Sequence, residues 1–186
     1  MKKILLLLLC FLGFQPTALA LLTELGVTYS YQKKTYNAAN YSQSDSKGLS
    51  VSLYFLEKLA LELSYTDAFY ESQESDTQST RTIQQSTTMM DSSLIFAFFD
   101  RKNFVQPYLK AGVAYIKKNQ SVRYLNASVI PIPESSGWAP SYGAGIKFVL
   151  SERFSIKVGY DAWKTSLSDG TKSEDSALKA GLSWYL

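Results

Sequence analysis

Few residues in this sequence have the type and spacing that catalysis requires. The 186 residues include no histidine, so the commonest general base and every His-containing hydrolytic triad are missing. The acidic residues Asp67, Glu71, Glu74 and Asp76 lie close together in a polar stretch, and paired carboxylates can act as general acid and base. Acidic residues in such stretches usually form solvated surface, so we expect no catalytic residue and no enzyme.

Cofactor, metal and nucleic-acid sites are also not expected. Gly143 and Gly145 have the spacing that opens some phosphate-binding loops, but no helical pattern follows them. The only cysteine, Cys10, lies in a leucine run without the small residue that precedes a lipoprotein cysteine. The net charge of +3 is too small and too evenly spread to indicate nucleic-acid binding.

The first twenty residues have the three parts of a secretory signal peptide. Lys2 and Lys3 precede an apolar run over 4–14, and Ala18 and Ala20 stand at the positions before a cleavage site. The run is too short for a transmembrane helix, which takes about 20 residues. We expect a helical signal peptide over 1–20 and one domain over 21–186. Cleavage would remove the cysteine, so no disulfide could stabilise that domain.

The rest of the chain alternates apolar and polar or small residues with a period of two, which predicts β-strands. In the last segment Leu178, Ala180, Leu182, Trp184 and Leu186 are the apolar positions. Segments beginning near residues 25, 49, 61, 109, 142 and 154 repeat the pattern. One further segment, about 86–99, ends in an apolar run whose phase is ambiguous. We therefore predict eight strands.

The connections between these segments alternate in length. Short polar turns at 56–58, 100–103 and 151–153 separate longer polar stretches near 33–47, 70–85, 117–140 and 164–175. This layout is typical of transmembrane barrels, whose strands cross the bilayer in about 9–11 residues. The predicted fold is an all-β, eight-stranded antiparallel transmembrane up-and-down β-barrel. A soluble lipocalin-like periplasmic barrel with an apolar cavity is the structural alternative.

A membrane barrel would place its polar strand positions in a narrow lumen, where buried charges must pair. The positions that we expect to supply these structural lumen charges are Glu24, Glu62, Lys110, Lys147, Lys157, Asp161 and Lys179.

Aromatic residues cluster near both ends of the predicted strands, as two membrane interfaces select. Those beside short turns are Phe55, Phe104 and Phe154. Those beside the long stretches are Tyr31, Tyr65, Phe69, Tyr115, Tyr160 and Trp163.

Three stretches resemble the small outer-membrane β-barrel family of Gram-negative bacteria, which includes OmpA-type and OmpX-type barrel domains. Residues 106–115 (QPYLKAGVAY) are similar to the fifth strand of this family, and residues 142–160 are similar to its sixth and seventh strands. The C-terminal residues Lys179, Gly181, Trp184 and Leu186 resemble the terminal signal that the barrel-assembly machinery recognises, although the usual last residue is aromatic. The barrel enzymes of this membrane use a histidine, so the resemblance transfers no catalytic residue.

The resemblance implies a location in the outer membrane of a Gram-negative bacterium and a set of partners. It implies contact with outer-membrane lipid and lipopolysaccharide, assistance from periplasmic chaperones and the barrel-assembly machinery during biogenesis, and a monomer. The function expected is structural or surface interaction, that is, adhesion or ligand contact through long extracellular loops. A narrow channel for small solutes or ions is the alternative.

The stretch at 117–140 is the candidate surface for a ligand or for a host or prey partner. Its apolar residues are Tyr124, Leu125, Val129, Ile130 and Ile132. Strand extension above the bilayer, with Pro131 and Pro133 protecting an edge, is the other interpretation. We expect the Ser-, Thr- and Gln-rich stretch at 70–85 to be a mobile hydrophilic cover.

Overall fold

A computed structural model describes residues 22–37, 39–75, 80–124, 129–166 and 172–186. The predicted signal peptide over 1–20 lies outside these residues. The described residues form eight strands: β1 (Leu22–Thr35), β2 (Tyr41–Leu56), β3 (Leu59–Ser75), β4 (Thr80–Ala97), β5 (Val105–Tyr124), β6 (Ile130–Val149), β7 (Phe154–Ser166) and β8 (Lys172–Tyr185). Within the described ranges, no helix is long and apolar enough to cross a membrane.

Each strand pairs antiparallel with the next along the chain, and β8 pairs with β1 to close the barrel. The predicted eight-stranded up-and-down barrel is therefore confirmed. Three tight turns lie at one end, which we call the turn end. Four hairpin tips lie at the other end, which we call the tip end.

The period-two pattern sends polar and small side chains inward and apolar side chains outward. Buried inward residues include Glu24, Ser52, Glu62, Asp91, Ser93, Gln106, Lys147, Ser155 and Ser183. Exposed outward residues include Leu25, Val27, Leu63, Leu94, Leu109 and Leu182. A soluble barrel would bury its apolar face, so this arrangement excludes the lipocalin-like alternative and suits a lipid surround.

β4 contains the apolar run at 94–99, in which the sequence pattern does not show which residues face inward. Ile95 and Ala97 are buried inside the barrel, whereas Leu94 and Phe96 are exposed on its outer face. The apolar run has no polar member to set its phase. The pairing with β3 and β5 sets it instead, since Leu94 lies opposite both Leu61 and Ala111.

The strands are longer than a bilayer crossing requires, with 13 to 20 residues each. The four stretches expected as long loops are therefore mostly paired strand. Residues 70–75 and 80–85 pair across β3 and β4, so the prediction of a loop is wrong for these residues, and 76–79 lie outside the described residues. Ser and Thr are compatible with extended backbone, and backbone pairing satisfies the polar groups of this hairpin.

Two small apolar layers lie inside the barrel. Tyr54, Ala60, Ile95 and Tyr185 pack together near the turn end. Met89, Ala114, Ile116 and Ala139 pack together nearer the tip end, with Trp163 against them.

Candidate functional site

Glu24 is the centre of the charge cluster nearest the turn end. Its side chain is fully buried, with Oε1 2.6 Å from Lys157 Nζ and Oε2 3.2 Å from Lys147 Nζ. Tyr54 donates its hydroxyl hydrogen to Glu24 at 2.7 Å. Because β1, β2, β6 and β7 each contribute one of these residues, the cluster connects strands from both halves of the chain.

The ion pairs continue from this cluster toward the tip end. Glu62 lies 3.6 Å from Lys157 Nζ and 3.5 Å from Lys110 Nζ. Asp161 lies 3.1 Å from both Lys110 Nζ and Lys179 Nζ. All seven charges that the sequence indicated for the lumen therefore lie in one continuous series of ion pairs, which we call the lumen network.

Sequence reasoning missed one member of this network. Asp91 is buried on β4, 3.9 Å from Lys110 Nζ, and it accepts hydrogen bonds from Ser93 and Ser141. With Asp91 included, the network holds as many acids as bases. Once the pairing of β4 places Ala97 and Ile95 inward, stepping back by two leads to Ser93 and Asp91, but the apolar run alone does not set this phase.

Aromatic and polar side chains fill the lumen at the turn end. Lys147 donates to the hydroxyls of Tyr54 and Tyr185 at 2.8 Å and 2.5 Å. The Arg101 guanidinium lies 4.5 Å from the centre of the Tyr54 ring. Gln106 donates to the carbonyls of Arg101 and Asn103, which ties the turn after β4 across the barrel mouth. The cavities left around the lumen network measure about 50 and 10 Å³.

The acidic stretch between 67 and 76 does not form one site. Glu71 accepts hydrogen bonds from Tyr41 at 2.7 Å and from Gln84 at 2.8 Å, and these bonds lower the pKa of Glu71. Glu74 pairs with Arg81, and Asp67 is exposed. Asp76 lies outside the described residues. Within the described ranges, no group of three His, Cys, Asp or Glu side chains could hold a metal ion.

The candidate partner surface lies on the β5–β6 hairpin. Tyr124, Val129, Ile130 and Ile132 are exposed there, and Leu125 lies outside the described residues. Strand extension also applies, since Ile130 pairs with Val122 and Pro131 with Ser121. β6 pairs with β7 only from Val149 to Ser141, so its segment 130–140, which contains three prolines, pairs with β5 alone.

The sequence from residue 4 to 185 matches the family model of the outer membrane protein β-barrel domain. The chain belongs to this outer-membrane barrel family. Its location is the outer membrane of a Gram-negative bacterium. The comparison with curated proteins found no match. Barrels of this kind have short periplasmic turns and longer extracellular loops, so the turn end is periplasmic and the tip end is extracellular.

Solved outer-membrane barrels share the fold at low sequence identity. The N-terminal barrel domain of Pseudomonas aeruginosa OprF is 18% identical, with a TM-score of 0.57 over 89% of this chain and 97% of that one. Yersinia pestis Ail, in complex with the heparin analogue sucrose octasulfate, is 15% identical, with a TM-score of 0.56 over 89% and 98%. Neisserial surface protein A is 16% identical, with a TM-score of 0.54 over 88% and 96%.

One predicted interface aromatic of this outer-membrane barrel faces the other way. Trp163 lies inside the barrel against the Met89 layer, with Lys179 Nζ 6.0 Å from its ring centre. Asp161 already points inward, so the period of two also places Trp163 inward. Trp138 is the exposed tryptophan in this region, and its ring centre lies 5.1 Å from that of Tyr115.

The C-terminal residues of the predicted assembly signal divide between the two faces of β8. Lys179 and Gly181 face the lumen of the outer-membrane barrel, whereas Trp184 and Leu186 are exposed outside it. Trp184 packs edge-on against Phe154 at 6.4 Å. Lys179 and Gly181 therefore have structural neighbours that are sufficient to explain their presence.

Proposed function

We propose that this outer-membrane barrel is a non-enzymatic surface protein that contacts another protein through its β5–β6 hairpin. The observation that carries the proposal is the exposure of Tyr124, Val129, Ile130 and Ile132 at the extracellular end of the two longest strands. Apolar side chains held in water beyond the bilayer have no lipid to cover them. Exposed apolar groups of this kind are typical of protein interaction surfaces.

The chemistry of the hairpin favours a protein over a sulfated glycan. Glycan sulfates select clusters of unpaired basic side chains. Here Lys117 pairs with Glu134 at 3.7 Å, and on the next hairpin Arg81 pairs with Glu74. The relative Ail was crystallised with a heparin analogue, so the glycan is the competing partner that a test must include.

The contact is expected to use side chains rather than strand addition. Segment 130–140 of β6 has one edge without a partner strand among the described residues. Pro131, Pro133 and Pro140 lack the N–H that a ladder requires, and proline is a common protection of exposed edges. This leaves the exposed faces of Ile130 and Ile132 as the contacts.

We expect the variant Ile130→Ser/Ile132→Ser to lower attachment about tenfold or more, because buried apolar contacts at an interface centre are each worth 1 kcal/mol or above. The measurement is adhesion of bacteria that display the barrel to surfaces coated with basement-membrane extract or with heparin. Tyr36→Ser is the matched control, since Tyr36 is exposed at the tip of the β1–β2 hairpin.

Both variants should keep the shift in gel mobility on heating that marks a folded barrel. Salt-sensitive attachment to heparin that survives the double substitution would contradict a protein partner and favour the glycan. Equal loss with Tyr36→Ser would show that the effect is not specific to the β5–β6 hairpin.

A channel is the second candidate function, and the filled lumen argues against it. Eight strands enclose an interior that side chains just fill. In the periplasmic half of the barrel, the small cavities around the lumen network and the Tyr54–Tyr185–Arg101 group at the mouth leave no continuous path.

We therefore expect planar-bilayer recordings of the purified barrel to show no stable open state. The physical reason is that opening would separate ion pairs buried in a narrow lumen. A stable conductance whose ion selectivity changes in Lys110→Gln or Glu62→Gln would overturn this prediction. An unchanged conductance in both variants would indicate a contaminant or a path outside the lumen.

Export and assembly complete the proposal. We propose that residues 1–20 are a cleaved signal peptide, and that periplasmic chaperones and the barrel-assembly machinery insert residues 21–186 as a monomer. The pattern Lys179, Gly181, Trp184 and Leu186 supports recognition by that machinery. The balanced lumen network supports a structural role for Glu24, Glu62, Lys110, Lys147, Lys157, Asp161 and Lys179.

A further inference from the structure

The barrel wall is incomplete at the junction of its first and last strands. β1 and β8 pair from Glu24–Tyr185 to Tyr29–Ala180, and the pairing stops there. Both strands continue, β1 to Thr35 with β2 as partner and β8 from Lys172 with β7 as partner. Between Ser30–Thr35 and Lys172–Lys179 the two strands run without a shared ladder. We call this gap the β1–β8 seam.

A cavity of about 610 Å³ occupies the extracellular half of the barrel and reaches this seam. Its lining includes the successive residues Ser30 to Gln32 of β1 and Asp175 to Lys179 of β8. Successive strand residues face opposite sides of a sheet. A cavity lined by both faces of both strands therefore extends through the wall between them. Its volume falls within the about 300–1,000 Å³ typical of small-molecule sites.

The mouth of the seam lies at the membrane interface. Tyr31 on one side and Leu178 on the other are exposed outward and line the cavity, as does Tyr160 beside Leu178 on β7. Tyrosines at this level of the strands belong to the extracellular aromatic belt, which marks the headgroup region of the bilayer. The opening thus faces the outer leaflet.

The floor of the cavity is polar and contains an unused donor. Trp163 lines the cavity, and its Nε1 is buried without a hydrogen-bond partner among the described residues. A buried donor without a partner is rare and indicates a missing acceptor. Lys179 lies at the same floor, 6.0 Å from the Trp163 ring, and Lys118 lines the wall above. Lys118 pairs with Asp175 at 2.6 Å and Lys179 pairs with Asp161 at 3.1 Å, so the lining charges are balanced and the donor that remains for a ligand headgroup is the Trp163 N–H.

We propose that this cavity binds a single-chain fatty acid that enters through the β1–β8 seam from the outer leaflet. The carboxylate accepts the hydrogen bond of Trp163 Nε1 near Lys179. The acyl chain leads out between Tyr31 and Leu178 into lipid. This proposal is independent of the protein contact assigned to the β5–β6 hairpin, because the two surfaces share no residue.

Engineered cysteine pairs test whether the seam is open. Continuing the β1–β8 register would place Tyr31 opposite Leu178, as Val27 is opposite Leu182. Both pairs face outward and have the same hydrogen-bonding parity, because their positions differ by four residues. Cysteines bridge only when their Cα atoms lie within about 7 Å. The only native cysteine is Cys10, within the predicted signal peptide.

In the folded barrel, Val27→Cys/Leu182→Cys should oxidise and Tyr31→Cys/Leu178→Cys should stay reduced, as thiol counting by mass spectrometry would show. Oxidation of both pairs to the same extent would overturn the open seam.

A photoreactive fatty acid tests the ligand. We expect a diazirine placed next to the carboxylate to label inward-facing Met89 or Ala177 when the barrel is embedded in phospholipid nanodiscs. A diacyl phospholipid with the same group should label only the lipid-facing surface. Interior labelling by the phospholipid alone, or by neither probe, would overturn the proposal.

Two variants separate binding from folding. Ala177→Trp fills the cavity and should reduce interior labelling at least tenfold, whereas Ala180→Trp, on the lipid-facing side of the same strand, should leave it intact. Trp163→Phe keeps an aromatic ring, although a smaller one, and removes the N–H, and should weaken labelling several-fold. Undiminished labelling in Trp163→Phe would overturn the assigned carboxylate position even if Ala177→Trp failed to fold.

Discussion

Replacing Glu24 with Gln is expected to lower the free energy of unfolding of the barrel by about 3–5 kcal/mol. The carboxylate lies 2.6 Å from Lys157 Nζ and 3.2 Å from Lys147 Nζ, and its side chain is fully buried. Its loss removes the acid paired with Lys147 and leaves Lys157 with Glu62 at 3.6 Å, so one excess positive charge remains in a lumen too small to hydrate it. An uncompensated buried charge costs far more than the lost hydrogen bond alone.

Equilibrium urea unfolding in lipid vesicles measures this effect. Glu57→Gln is the matched control, because Glu57 is exposed in the β2–β3 turn and its charge is solvated. Adding Lys147→Met to Glu24→Gln should recover part of the loss, since one excess cation is then removed. If Glu24→Gln cost no more than Glu57→Gln, the lumen network would have no role in stability.

Replacing Gly181 with Ala is expected to prevent normal closure of the barrel. Gly181 lies opposite Thr28 at the β1–β8 junction, and an added Cβ would lie 2.3 Å from the Val27 carbonyl oxygen and 2.7 Å from Thr28 Cγ2. The carbonyl cannot move without breaking the strand that closes the barrel. We expect a cost of about 1–3 kcal/mol for alanine and more for valine.

Refolding from urea into detergent micelles, followed by gel mobility with and without heating, measures the closed fraction. Gly26→Ala, at the same β1–β8 junction, is the control, because its added Cβ would meet the rotatable Ser50 hydroxyl and then only Ser50 Cβ at 3.8 Å and the Leu182 carbonyl oxygen at 3.9 Å. Normal refolding of Gly181→Ala in vitro, combined with failure to reach the outer membrane in cells, would assign Gly181 to recognition by the assembly machinery instead.

Particular residues show where prediction from sequence succeeds. Glu62, Lys110 and Lys157 each stand between apolar neighbours on a strand, so the period of two places them inside as soon as the outer face is known to be apolar. Asp91 follows the same rule, but the apolar run 94–99 hides its phase. Trp163 lies near a strand end, where aromatic residues are typical of the membrane interface, but its parity with Asp161 turns it inward.

The hairpin ends could not be predicted in the same way. Residues 70–85 are rich in Ser, Thr and Gln, a composition shared by mobile loops and by strands with two hydrated faces. Only the pairing of β3 with β4 distinguishes a strand from a mobile loop here, and composition does not indicate which residues pair. The same holds for 130–140, where β6 continues beside β5 but not beside β7.

The sequence by itself determined the strand count and the seven charges that share the polar face, because both follow from local periodicity and turn spacing. Only the tertiary structure decided which charges pair, where the wall ends between β1 and β8, and that Trp163 lines a cavity. The physical reason is that partner choice depends on strand register and tilt around a closed barrel. These bring together residues as distant along the chain as Glu24 and Lys157.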